Sequence, residues 1–205
     1  MPARSNRSSC RPWNCRAARR TATARSGPAT DTDLPSIDLE YGRIPQGLKD
    51  IYIPLFKALE PSAVVCNRMS GFDLPSNCVS VHVRNDFDWC QAKRTVDIDA
   101  FVHEMRRFSA DTKFYLVAHN REASERLRLT FGNRVLELPA KNYGSLIDAV
   151  ADLYIMSKCR TVINTYGSTF SEVSWWLGEC LQKVVVVGAY ADWGQHAINL
   201  NLKRW

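Results

Sequence analysis

Apolar residues follow two regimes along this chain. Residues 1–38 hold few of them, in no period, among Arg, Ser, Ala, Thr and Pro. Such a stretch buries too little surface to offset its ordering entropy and is expected to be disordered. Order is expected to begin near Tyr41. LKDIYIPLFKALE (48–60) sets Leu48, Ile51, Leu55, Ala58 and Leu59 on roughly one helical face, with Pro54 as a bend or break. PSAVVCNRMSGF (61–72) predicts a second short helix, with Pro61 early and Gly71 near its end.

From Cys78 a regular alternation sets in. Strands are predicted at 78–84, 113–119, 134–139, 160–165 and 183–188, and helices at 98–108, 120–132, 144–159 and 168–178. Asp97 or Asp99 starts the first of these helices, Arg106 and Arg107 occupy its last turn, and Gly132 closes the second. The third has apolar residues at 146, 147, 150, 153 and 156. Uninterrupted apolar strands, such as the four valines 184–187, alternate with helices. This pattern predicts a parallel sheet covered on both faces, a Rossmann-like α/β domain. The expected organisation is a tail (1–40), two linking helices (41–76), the α/β domain (77–190) and a C-terminal segment (191–205). There is no internal repeat.

Charge sharpens that division. The net charge of +6 comes from the tail, where residues 1–30 carry seven arginines and no acid. The remainder holds 20 basic and 21 acidic side chains, which makes nucleic acid a poor partner for the folded part. The tail's composition has the look of an organellar transit peptide or of a non-native start to the chain. It lacks the apolar run of a secretory signal, and no 18-residue apolar stretch that would span a membrane occurs in the sequence. Seven scattered cysteines form no CxxC pair, and with four histidines no zinc spacing arises. Most are expected to be buried or idle thiols, and one bridge in an oxidising compartment remains open.

Candidate chemistry sits where strands end. In VSVHVRNDFDW (79–89) an alternating strand gives way to Arg84, Asn85, Asp86, Phe87, Asp88 and Trp89. In parallel sheets ligands bind outside the carboxyl ends of the strands, at the switch point. NTYGSTF (164–170) follows another strand, with Gly167 allowing close backbone approach and Ser168 opening a helix whose N–H groups favour an anion. Arg84 offers a planar fork for phosphate oxygens, and Ser168 and Thr169 add hydroxyls. Neither GxGxxG nor GxxxxGK[ST] is present, which argues against a nicotinamide or flavin cofactor and against a P-loop. These features suit a nucleotide or nucleotide sugar.

The order H-x-R after a strand, then FYLVAHN, DLYIMSKC and NTYGSTFSEVSWWLG, resembles the GDP-fucose-dependent fucosyltransferases of the GT-B fold over about 60–190. HVRNDFDW is similar to the protein O-fucosyltransferase run, with His82, Arg84, Asp88 and Trp89 at its spacing. The resemblance implies inverting transfer of fucose from GDP-fucose to a glycan or protein hydroxyl without an obligatory metal, and a Golgi or ER lumenal setting. It implies that Arg84 contacts the β-phosphate and stabilises the leaving group. His82 and Asn85 would lie on the donor, and Gly167, Ser168, Thr169 and Phe170 would line its pocket. Asp152 would contact the nucleotide, and Asp88 is a candidate general base. Plainer readings stand beside these: His82 as a histidine satisfied within the sheet, Asp152 as a solvated helix carboxylate, Asp86 as a loop-shaping residue. Asn85 replaces the second arginine of many α1,2 and α1,6 enzymes, and His119 with Asn120 replace an acid at the next strand end. Only the donor-binding half of a GT-B enzyme is represented. A non-catalytic nucleotide-sugar module, or a transferase using another donor such as a UDP-sugar, are the alternatives.

Overall fold

The computed structural model describes residues 44–84, 94, 95, 97–165, 168–187, 189 and 190. The tail (1–40) and the C-terminal segment (191–205) lie outside the described residues. In chain order the elements are α1 (Gln46–Lys57), α2 (Ala63–Met69), β1 (Cys78–Val83), β2 (Arg94–Thr95), α3 (Ile98–Met105), β3 (Lys113–Ala118), α4 (Arg121–Phe131), β4 (Val135–Leu136), α5 (Leu146–Met156), β5 (Thr161–Thr165), α6 (Thr169–Leu177), β6 (Lys183–Val187) and β7 (Ala189–Tyr190). Five strands form a parallel sheet in the order β4-β3-β1-β5-β6. Strands β2 and β7 pair antiparallel. The chain winds outward from β1 through β3 to β4, returns through α5, and continues on the other side of β1. This is the Rossmann order, and its switch point falls between β1 and β5.

Alternation along each strand feeds two cores, one per face. Val79, Val81 and Val83 join Phe114, Leu116, Ile163 and Val185 under Phe101 and Met105 of α3 and Leu127 and Phe131 of α4. On the other face Tyr115, Val117, Val162 and Val184 pack with Met69 of α2, Ile155 and Met156 of α5, and Trp175 and Trp176 of α6. The sheet is therefore covered on both sides, as the apolar strands predict. The helix starts follow from local chemistry. The side chains of Asp97, Asn120, Ser145 and Ser168 each accept a hydrogen bond from a backbone N–H two or three residues on. Gly132, at φ 57°, closes α4 in a conformation that suits glycine.

Two helices turn differently from their predicted faces. Helix α1 continues through Pro54, and Ile51, Leu55 and Leu59 are exposed. Its packed side is Leu48, Tyr52, Ile53 and Phe56. The rings of Tyr52 and Phe56 lie 5.7 and 5.6 Å from Trp176, and aromatic burial outweighs the aliphatic stripe. Lys57 adds an ion pair to Glu179 at 2.9 Å. In α5, Leu146 and Ile147 are exposed, and the buried stripe is Asp148, Ala151, Asp152, Ile155 and Met156. The predicted strand 134–139 contracts to Val135–Leu136, an edge strand paired on one side only. Cys66, Cys78, Cys159 and Cys180 are free thiols, and buried Cys78 and Cys159 donate to the carbonyls of Val79 at 3.9 Å and Ile155 at 4.0 Å. Among the described residues no helix is long and apolar enough to cross a membrane.

The end of α6 lies hard against the end of α5. A Cβ at Gly178 would sit 2.8 Å from the Ser157 carbonyl oxygen and 3.4 Å from the Gln182 side chain. Backbone cannot yield there as a side chain can. Gly178→Ala is expected to destabilise the fold by about 1–3 kcal/mol, read as a lower denaturant midpoint at unchanged slope.

Candidate functional site

The polar residues of β1 face the α5–α6 side of the sheet, where burial obliges them to find partners. Ser80 donates to the Thr161 carbonyl at 3.3 Å. His82, 5% exposed, has its Nδ1 2.6 Å from Ser171 Oγ and 3.2 Å from Ser168 Oγ. Phe170 places its ring 4.9 Å from the imidazole. Burial, then the charges of Arg84 and Lys141 and the His119 imidazole, lower the His82 pKa to about 3, so the ring is neutral at ordinary pH. The plain reading of a histidine satisfied within the sheet thus agrees with its bonds to Ser171 and Ser168.

Thr165 joins the two strands at the switch point. Its Oγ1 accepts from the Arg84 backbone N–H at 2.8 Å and donates to the His82 carbonyl at 3.4 Å. On the other flank the His119 N–H donates to the Val83 carbonyl at 2.9 Å. These bonds set the start of Arg84 at the carboxyl end of the sheet. Beside it opens a cleft of about 140 Å³ lined by His82, Arg84, His119, Lys141, Tyr143 and Phe170, with Asp148 and Asp152 in its wall.

The carboxylates of that wall are engaged. Asp152, 2% exposed, accepts from the Tyr115 hydroxyl at 2.5 Å and pairs with Lys141 Nζ at 2.8 Å. It is thus no solvated helix carboxylate. Burial pushes its pKa above the usual carboxylate range, while Lys141 and Tyr115 pull it back. The Tyr115 phenol, pushed far up by burial and by Asp152, stays protonated as the donor. One turn earlier, Asp148 binds Arg68 of α2 at 2.5 Å and the Asn142 N–H at 2.7 Å. The Arg68 hydrogen bond holds its pKa below the usual carboxylate value.

Of the residues singled out from sequence, His82, Arg84, Asp152 and Phe170 come together at this cleft. Ser168 is turned inward, 2% exposed, as the N-cap of α6 and beside His82, and Thr169 is exposed on the first turn. Asn85, Asp86, Asp88, Trp89 and Gly167 lie outside the described residues. Tyr115, Lys141, Asp148 and Ser171 belong to the same constellation without having been singled out. The (i, i+4) spacing of Asp148 and Asp152 on an otherwise apolar helix was the available signal for that pair. Among the described residues no group of three His, Cys, Asp or Glu side chains is placed to hold a metal ion.

No protein-family profile and no curated protein sequence matches the chain. Similar solved structures include the NodZ alpha-1,6-fucosyltransferase co-crystallized with GDP, at 15% identity and TM-score 0.36, over 69% of this chain and 44% of that one. The same enzyme soaked with GDP-fucose gives 16% identity and TM-score 0.36, over 67% of this chain and 59% of that one. The chain therefore spans about half the length of these structures.

His82 gives the site a pH signature. The unfolded chain protonates this imidazole below about pH 6.5, while the folded one resists until about pH 3. Stability from this group is thus full above pH 6.5 and falls as pH drops toward 3. Between pH 7 and 5 the expected loss is about 2 kcal/mol. In His82→Gln the difference between urea midpoints at pH 7 and pH 5 should shrink accordingly.

Proposed function

We propose that the cleft binds the nucleotide diphosphate of a nucleotide sugar, with GDP-fucose as the donor. The chain would then be the donor-binding domain of a GT-B glycosyltransferase that passes fucose to a hydroxyl of a glycan or protein. The observation that carries this reading is Arg84, pinned through its backbone at the switch point of a Rossmann-ordered sheet and lining the adjacent cleft. The likeness of HVRNDFDW and NTYGSTFSEVSWWLG to fucosyltransferase sequences supports it. A cleft of about 140 Å³ takes one part of such a ligand, since whole-ligand pockets run to about 300 Å³ or more. The rest would lie along the strand ends.

In this reading the Arg84 guanidinium engages the β-phosphate oxygens. It gains strength as the sugar–phosphate bond lengthens and negative charge gathers on the leaving diphosphate. Neutral His82 adds no charge of its own and, locked to α6, positions the floor beneath the donor. Phe170 supplies an apolar wall. Asp88 would take the acceptor proton, and Asn85, Gly167, Ser168 and Thr169 would complete the donor contacts. The reaction as proposed needs no metal or cofactor.

A binding-only module is the second reading. One observation favours it: among the described residues each carboxylate lining the cleft is held by a cation, Asp148 by Arg68 and Asp152 by Lys141, and neither suits a general base.

Calorimetry with GDP, GDP-fucose and UDP tests the site. Binding of GDP and GDP-fucose in preference to UDP is expected, and Arg84→Ala should weaken GDP by about 1.5–3 kcal/mol at unchanged melting temperature. Absence of GDP binding at millimolar concentration would overturn the assignment. Turnover of GDP-fucose, lost in Arg84→Ala, separates the transferase from the binding-only module.

A further inference from the structure

We infer that Lys141 is a specificity-determining residue of the cleft: its ammonium neutralises the buried Asp152 carboxylate and so makes the cleft receptive to an anionic ligand. The inference rests on the nucleotide-diphosphate reading above and adds a residue to it.

The argument begins with the cost of a carboxylate in this place. Asp152 is 2% exposed, lies on the buried stripe of α5 and lines the cleft. Tyr115 donates to one oxygen, but a phenol hydrogen bond leaves the charge in place. A bare negative charge there would repel a diphosphate entering the same cleft. Lys141 removes that repulsion from 2.8 Å, with its side chain 8% exposed and its ammonium also 5.5 Å from the Tyr143 ring. The neighbouring carboxylate is treated alike, Asp148 being paired with Arg68. With both matched, neither acid opposes an anion.

The loop that delivers Lys141 is built to hold it inward. Ala140 adopts φ 47°, a left-handed conformation that an L-residue takes at a cost of about 1–2 kcal/mol. On one side of the turn the Pro139 carbonyl accepts from Arg68 Nη2 at 2.8 Å. On the other the Asn142 N–H donates to Asp148 at 2.7 Å, and the Asn142 side chain accepts from Gly144 N at 3.1 Å. The two carboxylates of α5 thus organise the loop, and the loop returns a cation to one of them. An ammonium placed only for solubility would extend into water from an exposed loop.

The test compares affinities for GDP and for uncharged guanosine, by calorimetry on the full chain, because their ratio isolates the response to ligand charge. Lys141→Met should lower the GDP-to-guanosine ratio about tenfold, the effect of one charge some 8–10 Å away in a partly polar medium. Asp152→Asn, which uncovers the ammonium, should raise the ratio. The double variant, neutral again, should return to within about threefold of wild type. An unchanged ratio in Lys141→Met overturns the inference. So does a double variant as low as Lys141→Met, which would mean that Lys141 touches the ligand directly. Melting curves check folding. If Lys141→Met does not fold, the rise in Asp152→Asn and its reversal in the double variant decide the matter. A wild-type chain that takes up no GDP overturns the functional reading and this inference with it. GDP uptake with an indifferent Lys141 overturns this inference alone.

Discussion

An imidazole buried in the central strand of a parallel sheet has to find its hydrogen bonds inside the protein, and His82 finds them on α6. That bond, to Ser171 at 2.6 Å, spans 89 residues of sequence and docks the helix that follows β5 against the strand that begins the sheet. Phe170 and Trp176 flank it in sequence and carry the same docking outward, one toward the cleft and the other to the α1 aromatics. Were position 82 apolar, the α6 side of β1 could be covered in several rotations of the helix. A single acceptor or donor at fixed height admits one. The polar residues of β1 thus specify how the α6 layer sits, while the valines of its other face supply the burial that stabilises it.

The α5 layer is organised on a different logic. Its inward stripe sets two carboxylates among three apolar residues, and the anions are what fasten the neighbouring pieces. Asp148 ties down α2 and the loop before α5, and Asp152 ties down β3 through Tyr115. Paired charges at such depth contribute little net stability against apolar replacements, because desolvation offsets their attraction. Their effect is on geometry: removing either partner leaves a buried charge uncompensated, so alternative placements of the loop are penalised. The wall of the cleft is rigid for the same reason that it is polar.

The sheet was legible in the sequence because its strands are short apolar runs between capped amphipathic helices, and nothing competes with that reading. Helix rotation was harder. The predicted face of α1 was Leu48, Ile51, Leu55, Ala58 and Leu59, yet Tyr52 and Phe56 set their rings against Trp176. Of that face Leu48 packs, while Ile51, Leu55 and Leu59 are exposed. The same thing happens in α5, where apolar residues surround the helix and period alone cannot say which side carries Asp148 and Asp152. At the cleft, His82 and Arg84 were visible because one lies near the end of a strand and the other follows that strand directly. Lys141 was not, since a lysine in a polar loop carries no pattern, and only the chain path around Ala140 turns it inward. Ser171 was hidden likewise, as one hydroxyl among several near a helix start.

Parallel pairing gives this site an order of assembly. The bonds that define it, Arg84 to Thr165 and His82 to Ser171, close loops of 81 and 89 residues, and no local hairpin brings their ends together. Contacts of such separation form late and slowly, after the entropy of the intervening chain has been overcome. During synthesis β1 emerges long before β5 and α6, and until they arrive its polar face has no lasting partner. Any nascent chain that stops short of Ser171 therefore holds the arginine and histidine of the cleft without the cleft itself.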